Sequence, residues 1–108
     1  MNVIRLESGN DYIAYRPGSG NTIEIFDIAV SSERRKGVGR RLVKEMLSKL
    51  PKDCLVWAMT RPENTIACTF YSSLGFKVLG LLRGFYSDGD SVVYGLHTKD
   101  LGDTIPGR

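Results

Sequence analysis

The chain has 108 residues, 42% of them apolar and 25% charged, and 15 basic against 12 acidic side chains leave a net charge of +3. That length holds one small domain, read here as 1–108. It contains no apolar run near the roughly 20 residues of a membrane helix, and M-N-V-I-R-L-E is no secretory signal. Cys54 and Cys68 share no metal-ligand or redox spacing. They read as reduced thiols of a cytoplasmic protein rather than a disulfide framework, and no metal site is expected.

Taken in order, Val3–Glu7 and Tyr12–Tyr15 are short strands separated by a Ser8-Gly9-Asn10-Asp11 turn cluster. The loop R-P-G-S-G-N leads into a third strand, Thr22–Val30, apolar at nearly every position except Glu24 and Asp27. Such continuity predicts a strand covered on both faces. A helix over Gly37–Leu50 follows, its stripe formed by Val38, Leu42, Val43, Met46, Leu47 and Leu50. Asp53–Thr60 is a buried strand, Trp57 within its core, and parallel to the third by a right-handed crossover. A second helix spans Asn64–Leu74 with Ile66, Ala67, Phe70, Tyr71 and Leu74 as its stripe, and Gly75 ends it. Phe76–Arg83 and Ser91–His97 form an antiparallel pair around a Gly84–Asp90 loop, and Thr98–Arg108 is a loose polar tail. The order β-β-β-α-β-α-β-β predicts an α+β domain with a mixed sheet.

The stretch from Ile23 to Leu50 carries the first chemical signal. A strand runs into S-S-E-R-R-K-G-V-G and then an amphipathic helix. N–H groups in a first helical turn have no partner inside the helix, and the helix dipole adds positive charge. Glycines at 37 and 39 let an anion approach the backbone closely. Arg34, Arg35, Lys36, Arg40, Arg41 and Lys44 surround that end with cations. The pattern suits a phosphate group. It lacks the glycine spacing of a dinucleotide fold and the Gly-Lys-Ser/Thr of a nucleotide loop.

I-A-V followed by R-R-K-G-V-G, together with N-T-I-A-C-T-F-Y-S-S-L-G-F over Asn64–Phe76, resembles the GNAT family of N-acetyltransferases. W-A-M-T-R-P-E-N and R-G-F-Y-S-D-G-D are similar to the ribosomal-protein alanine N-acetyltransferases within it. The resemblance implies that the central parallel strands, one holding Ile28, Ala29 and Val30 and the other Leu55–Met59, splay apart. Between them the pantetheine arm of acetyl-CoA pairs like an extra strand. Amides of Arg35, Lys36, Gly37, Val38, Gly39 and Arg40 would hold the pyrophosphate, and Asn64 the arm. Tyr71 would protonate the departing thiolate, and Glu24 matches the base of histone-type members. The alanine N-acetyltransferases place their base on the next strand, where this chain has Met59. Asp27 is the second candidate base, on the opposite face from Glu24 unless a bulge changes the phase. Phe85 and Tyr86 would lie on the acceptor side.

The implied reaction is acetyl transfer to the primary amine of a protein or small molecule, by direct attack in a ternary complex. A strand and two helices usually precede the meander in the family and wall the acceptor site, whereas this chain starts near the second family strand. An open acceptor site or a partner is expected, a homodimer being the simplest. The alternatives are a non-catalytic acyl-CoA-binding or interaction module, and a nucleic-acid binder. The latter is disfavoured because the basic turn has no aromatic stacking platform.

Overall fold

A computed structural model describes residues 3–29 and 37–104. Among the described residues the strands are β1 (Ile4–Ser8), β2 (Asp11–Pro17), β3 (Thr22–Ala29), β4 (Leu55–Thr60), β5 (Lys77–Tyr86) and β6 (Gly89–His97). The helices are α1 (Val38–Ser48) and α2 (Thr65–Ser73), and a 3₁₀ helix spans Thr98–Thr104. The strands form a single mixed sheet in the order β1-β2-β3-β4-β6-β5. Only β3 and β4 run parallel, as the crossover through α1 requires.

The core lies between one sheet face and both helices. Ile13, Tyr15, Ile25, Val56, Ala58, Tyr94 and Leu96 supply the sheet side. Leu42, Val43, Met46 and Leu47 of α1 and Tyr71 of α2 close over them. Strand residues two apart share a face, so the alternation in β4 sends Val56 and Ala58 inward and leaves Trp57 and Met59 on the other side. No helix covers that other face among the described residues. The third strand is therefore not buried on both faces: Ile25 is its one fully buried side chain, and Phe26 and Asp27 are exposed. Trp57 is half-buried on the open face rather than in the core. In α2 the stripe is shallower than its periodicity predicts, with Tyr71 buried and Ile66 exposed.

Two further expectations are corrected. Residues 84–90 are not a loop: β5 continues through Phe85 to Tyr86, which pairs with Gly89 across a two-residue turn. The register shift between Leu82 and Tyr86 absorbs the glycine at 84, whose φ is 64°. Nor is the start of the tail loose. Thr98 is fully buried, and its Oγ1 accepts from the Cys54 N–H at 2.9 Å and donates to the Pro51 carbonyl at 3.0 Å. Its own N–H donates to the Cys54 carbonyl at 2.9 Å. Polar composition suggested solvent, but these bonds clip the 3₁₀ helix to the entrance of β4.

Candidate functional site

Strands β3 and β4 stay paired from Thr22–Leu55 to Ile25–Ala58 and then part. Beyond that point each keeps its outer neighbour: Asp27, Ile28 and Ala29 pair with β2, and Met59 and Thr60 with β6. The parting coincides with a β-bulge. Ala14 pairs with Asp27 while Tyr15 pairs with Ile25, so Phe26 is an extra residue that bends β3.

The gap opens toward a cleft of about 610 Å³ between the two helices. Ile28, Gly37, Gly39, Arg40 and Asn64 line it, bringing together five residues that the sequence separates by up to 36 positions. The outer side of α2 supplies the opposite wall through Thr65, Thr69, Phe70 and Ser73. Of the stripe that helical spacing singled out, Ile66, Ala67 and Phe70 line this wall too, while Thr65, Thr69 and Ser73 carried no sequence signal. Val30, Arg34, Arg35 and Lys36 lie outside the described residues. Ala29 ends β3 opposite Tyr12, and Val38 opens α1 while packing against the core.

The start of α1 is built to receive an anion. Its N-cap is Gly37, at φ 71°, with no side-chain cap hydrogen bond and no acidic residue in the first turn. The cap residue thus offers the first-turn N–H donors no side-chain acceptor. A side chain at Gly37 would meet the strain of positive φ, although nothing lies within 4 Å of where its Cβ would stand. The Arg40 guanidinium stands at the same opening and donates through Nη2 to Ser73 Oγ at 3.0 Å, bridging α1 to α2. The second helix differs: the Asn64 side-chain oxygen caps it by accepting from the Ala67 N–H at 3.0 Å. That leaves the amide NH₂ of Asn64, a residue of the cleft lining, as a donor.

Tyr71 does not line this cleft. Its ring is 4% exposed, stacked on Tyr94 at 5.7 Å and tilted against Phe76 at 5.4 Å. Burial pushes its phenol from 10.0 up to about 12. Its hydroxyl forms no hydrogen bond with a described residue, which is unusual for a buried donor. Tyr94 differs, because its hydroxyl meets Cys68 and Ser72 on α2 and the Cys68 bond holds its phenol above the usual range.

The open sheet face carries the acids. Arg16 and Ala14 are two residues apart on β2, and their partners are Glu24 and Asp27, so the bulge places both carboxylates on one face. Glu24, the base that the resemblance implies, is ion-paired. Arg16 Nε donates to its Oε1 at 3.0 Å, and the Glu24 side chain is 16% exposed. The same guanidinium lies over the Phe26 ring at 4.4 Å. Asp27 is more exposed and accepts from the Tyr12 hydroxyl at 2.8 Å. At the hairpin end, Arg61 pairs with Asp88 at 2.8 Å and covers the Tyr86 ring at 4.1 Å. Phe85 stands edge-on to Tyr86 at 5.0 Å with about half its surface exposed.

A family model described as Acetyltransferase (GNAT) family matches residues 5–76, which span the meander, the parting strands and both helices. The chain belongs to the GNAT acetyltransferase family. Curated GNAT relatives include the ribosomal protein bS18-alanine N-acetyltransferase of Escherichia coli, 33% identical over 69 residues, 61% of this chain and 47% of the relative. The chain thus spans about half the length of the curated relatives it matches. The crystal structure of the ribosomal-protein-S18-alanine N-acetyltransferase from Escherichia coli superposes with a TM-score of 0.72 at 24% identity, covering 94% of this chain and 72% of that one. A candidate streptothricin acetyltransferase from Bacillus anthracis, solved with acetyl coenzyme A, gives a TM-score of 0.69 at 26% identity over 81% of this chain and 55% of that one.

Proposed function

We propose that the chain is an acetyl-CoA-dependent N-acetyltransferase of the cytoplasm, acting on the primary amine of a protein N-terminus, a lysine or a small molecule. The observation that carries this reading is the parting of β3 and β4 beyond Ile25–Ala58, opening toward an uncapped helix start. Strand edges released there can pair with an extended amide-bearing arm. The α1 donors, Gly37 without a side chain and Arg40 suit a pyrophosphate. The free amide of Asn64 suits the arm's carbonyls. Cys54 and Cys68 are both free thiols, in keeping with a reducing compartment.

Acetyl-CoA supplies the acetyl group as an activated thioester. Backbone N–H groups near Ile28 would steady the negative charge that develops on the carbonyl oxygen. Glu24, on the open face, receives the amine's proton through water, with Arg16 fixing its orientation. Asp27 offers a second acceptor on the same face. Tyr71 is assigned as donor to the departing sulfur on its place in the family motif; it lies outside the cleft's lining, and its phenol is protonated at neutral pH. The open sheet face gives the acceptor amine an approach from the side away from the helices.

A thermal-shift titration tests the reading. A ligand that binds only the folded state stabilises it by about 2.7 kcal/mol at 100 times its dissociation constant. Acetyl-CoA is expected to raise the melting temperature, and mass spectrometry to find acetylated product across an amine and peptide panel. No shift at millimolar acetyl-CoA refutes the proposal. A shift without transfer to any acceptor favours a non-catalytic acyl-CoA-binding module.

A further inference from the structure

Glu24 and Asp27 share the open sheet face, but only one of them is neutralised. Three arginines border that face, and each is paired with an acid: Arg5 with Glu7, Arg16 with Glu24 and Arg61 with Asp88. Asp27 makes no ion pair with a described residue. The Tyr12 hydroxyl donates to its Oδ2, and its Oδ1 has no partner among the described residues. The Arg5 guanidinium lies over the Tyr12 ring at 3.7 Å and so holds that hydroxyl in place. Lys77, a further cation on this face, stands three strands away on β5.

Place matters as much as charge. The last pair between β3 and β4 is Ile25–Ala58, so Asp27 stands just beyond the point where the strands part. Its neighbour Ile28 lines the cleft. Asp27 is therefore at the mouth where the open face meets the gap. The β2 partners of Glu24 and Asp27 are two residues apart, which spaces the two positions by about 7 Å along the sheet. Met59 lies on the same face across the gap, half-buried and uncharged, and offers methylenes an apolar surface.

We infer that Asp27 selects acceptors that carry a second positive charge close to the reacting amine: a short aliphatic diamine, or a peptide with lysine beside its N-terminus. The inference rests on the acetyl-transfer reading. Glu24 serves the reacting amine, and the second ammonium donates to Asp27 Oδ1. Arg16 already offsets the charge of Glu24, so the second ammonium is drawn to Asp27 instead. An acceptor with one amine leaves Asp27 to water and gains nothing from it.

Calorimetry on the full chain with coenzyme A present compares diaminobutane with butylamine, and a peptide beginning Ala-Lys with one beginning Ala-Leu. It reads binding without turnover. The member with the extra charge is expected to bind about fivefold more tightly in at least one pair, and that pair names the source. Asp27→Asn should erase the preference, and added salt should weaken it. The exposed side chain leaves the fold of the variant intact, which its melting temperature checks. Equal binding within both pairs overturns the inference. So does a preference that Asp27→Asn leaves in place, or a variant that weakens butylamine as much as diaminobutane. A preference that depends on Asp27 in a protein that acetylates none of the four compounds supports the selection and counts against the transferase reading alone.

Discussion

Tyr71→Phe separates the two consequences of burying a phenol. The ring keeps its contacts with Tyr94 and Phe76, and the hydroxyl removed has no partner among the described residues. Near neutral pH the stability change should therefore stay within about 1 kcal/mol. At alkaline pH the two proteins should diverge. The folded phenol titrates at about 12 and the unfolded one at 10.0. Between those values the unfolded chain has lost a proton that the folded chain retains, so the wild type loses stability as pH rises. This contribution is intact below 10.0 and is lost by the time pH passes about 12. At about pH 11 it has removed about 1.4 kcal/mol. Tyr71→Phe lacks that loss. Tyr15 and Tyr94 also have raised phenols, but both proteins share them, so the difference isolates Tyr71. Urea unfolding at about pH 8 and again at about pH 11 gives the two differences directly. Equal alkaline losses in wild type and variant would refute the burial argument. The same substitution should lower acetyl transfer at least about 100-fold while leaving acetyl-CoA affinity unchanged. Unchanged turnover would remove Tyr71 from the chemistry.

Asn64→Asp keeps the oxygen that caps α2 but removes the amide donor. Its melting temperature should stay near the wild type while acetyl-CoA affinity falls, and calorimetry reads the second effect. Glu24→Gln should lower turnover near neutral pH by about 100-fold or more, and Asp27→Asn should not; the reverse ranking would move the base to Asp27. Thr98→Val leaves the buried Cys54 N–H without its acceptor and should destabilise the fold by about 1–3 kcal/mol in chemical denaturation.

The main elements were legible because their signals are local. Helical spacing from Val38 to Leu47, the proline after Leu50 and the glycine after Leu74 mark both helices within a residue or two. The glycines at 37 and 39 already pointed to the uncapped helix start. What could not be read is long-range. Glu24 looks isolated along the chain, yet Arg16 reaches it across the β2–β3 pairing. Asp27 joins the face of Glu24 only because Phe26 is an extra residue, and an extra residue is defined by the partner strand. The cleft wall on α2 mixes the stripe residues Ile66, Ala67 and Phe70 with Thr65, Thr69 and Ser73, and the role of the polar ones comes from facing α1, which no spacing rule records. Thr98 looks like tail until Cys54 and Pro51 are placed beside it.

The position of β6 has a kinetic consequence. It is the last strand among the described residues, yet it lies between β4 and β5 and pairs with both. During synthesis β4 and β5 both emerge before the strand that joins them. Until β6 is complete, the apolar residues 77–82 lie on a strand with no neighbour on either side. Contacts this distant in sequence slow folding, and unpaired strand edges invite aggregation while it proceeds. A chain cut after residue 88 would keep both helices and the parting strands, but it would lose the piece that makes one sheet of them.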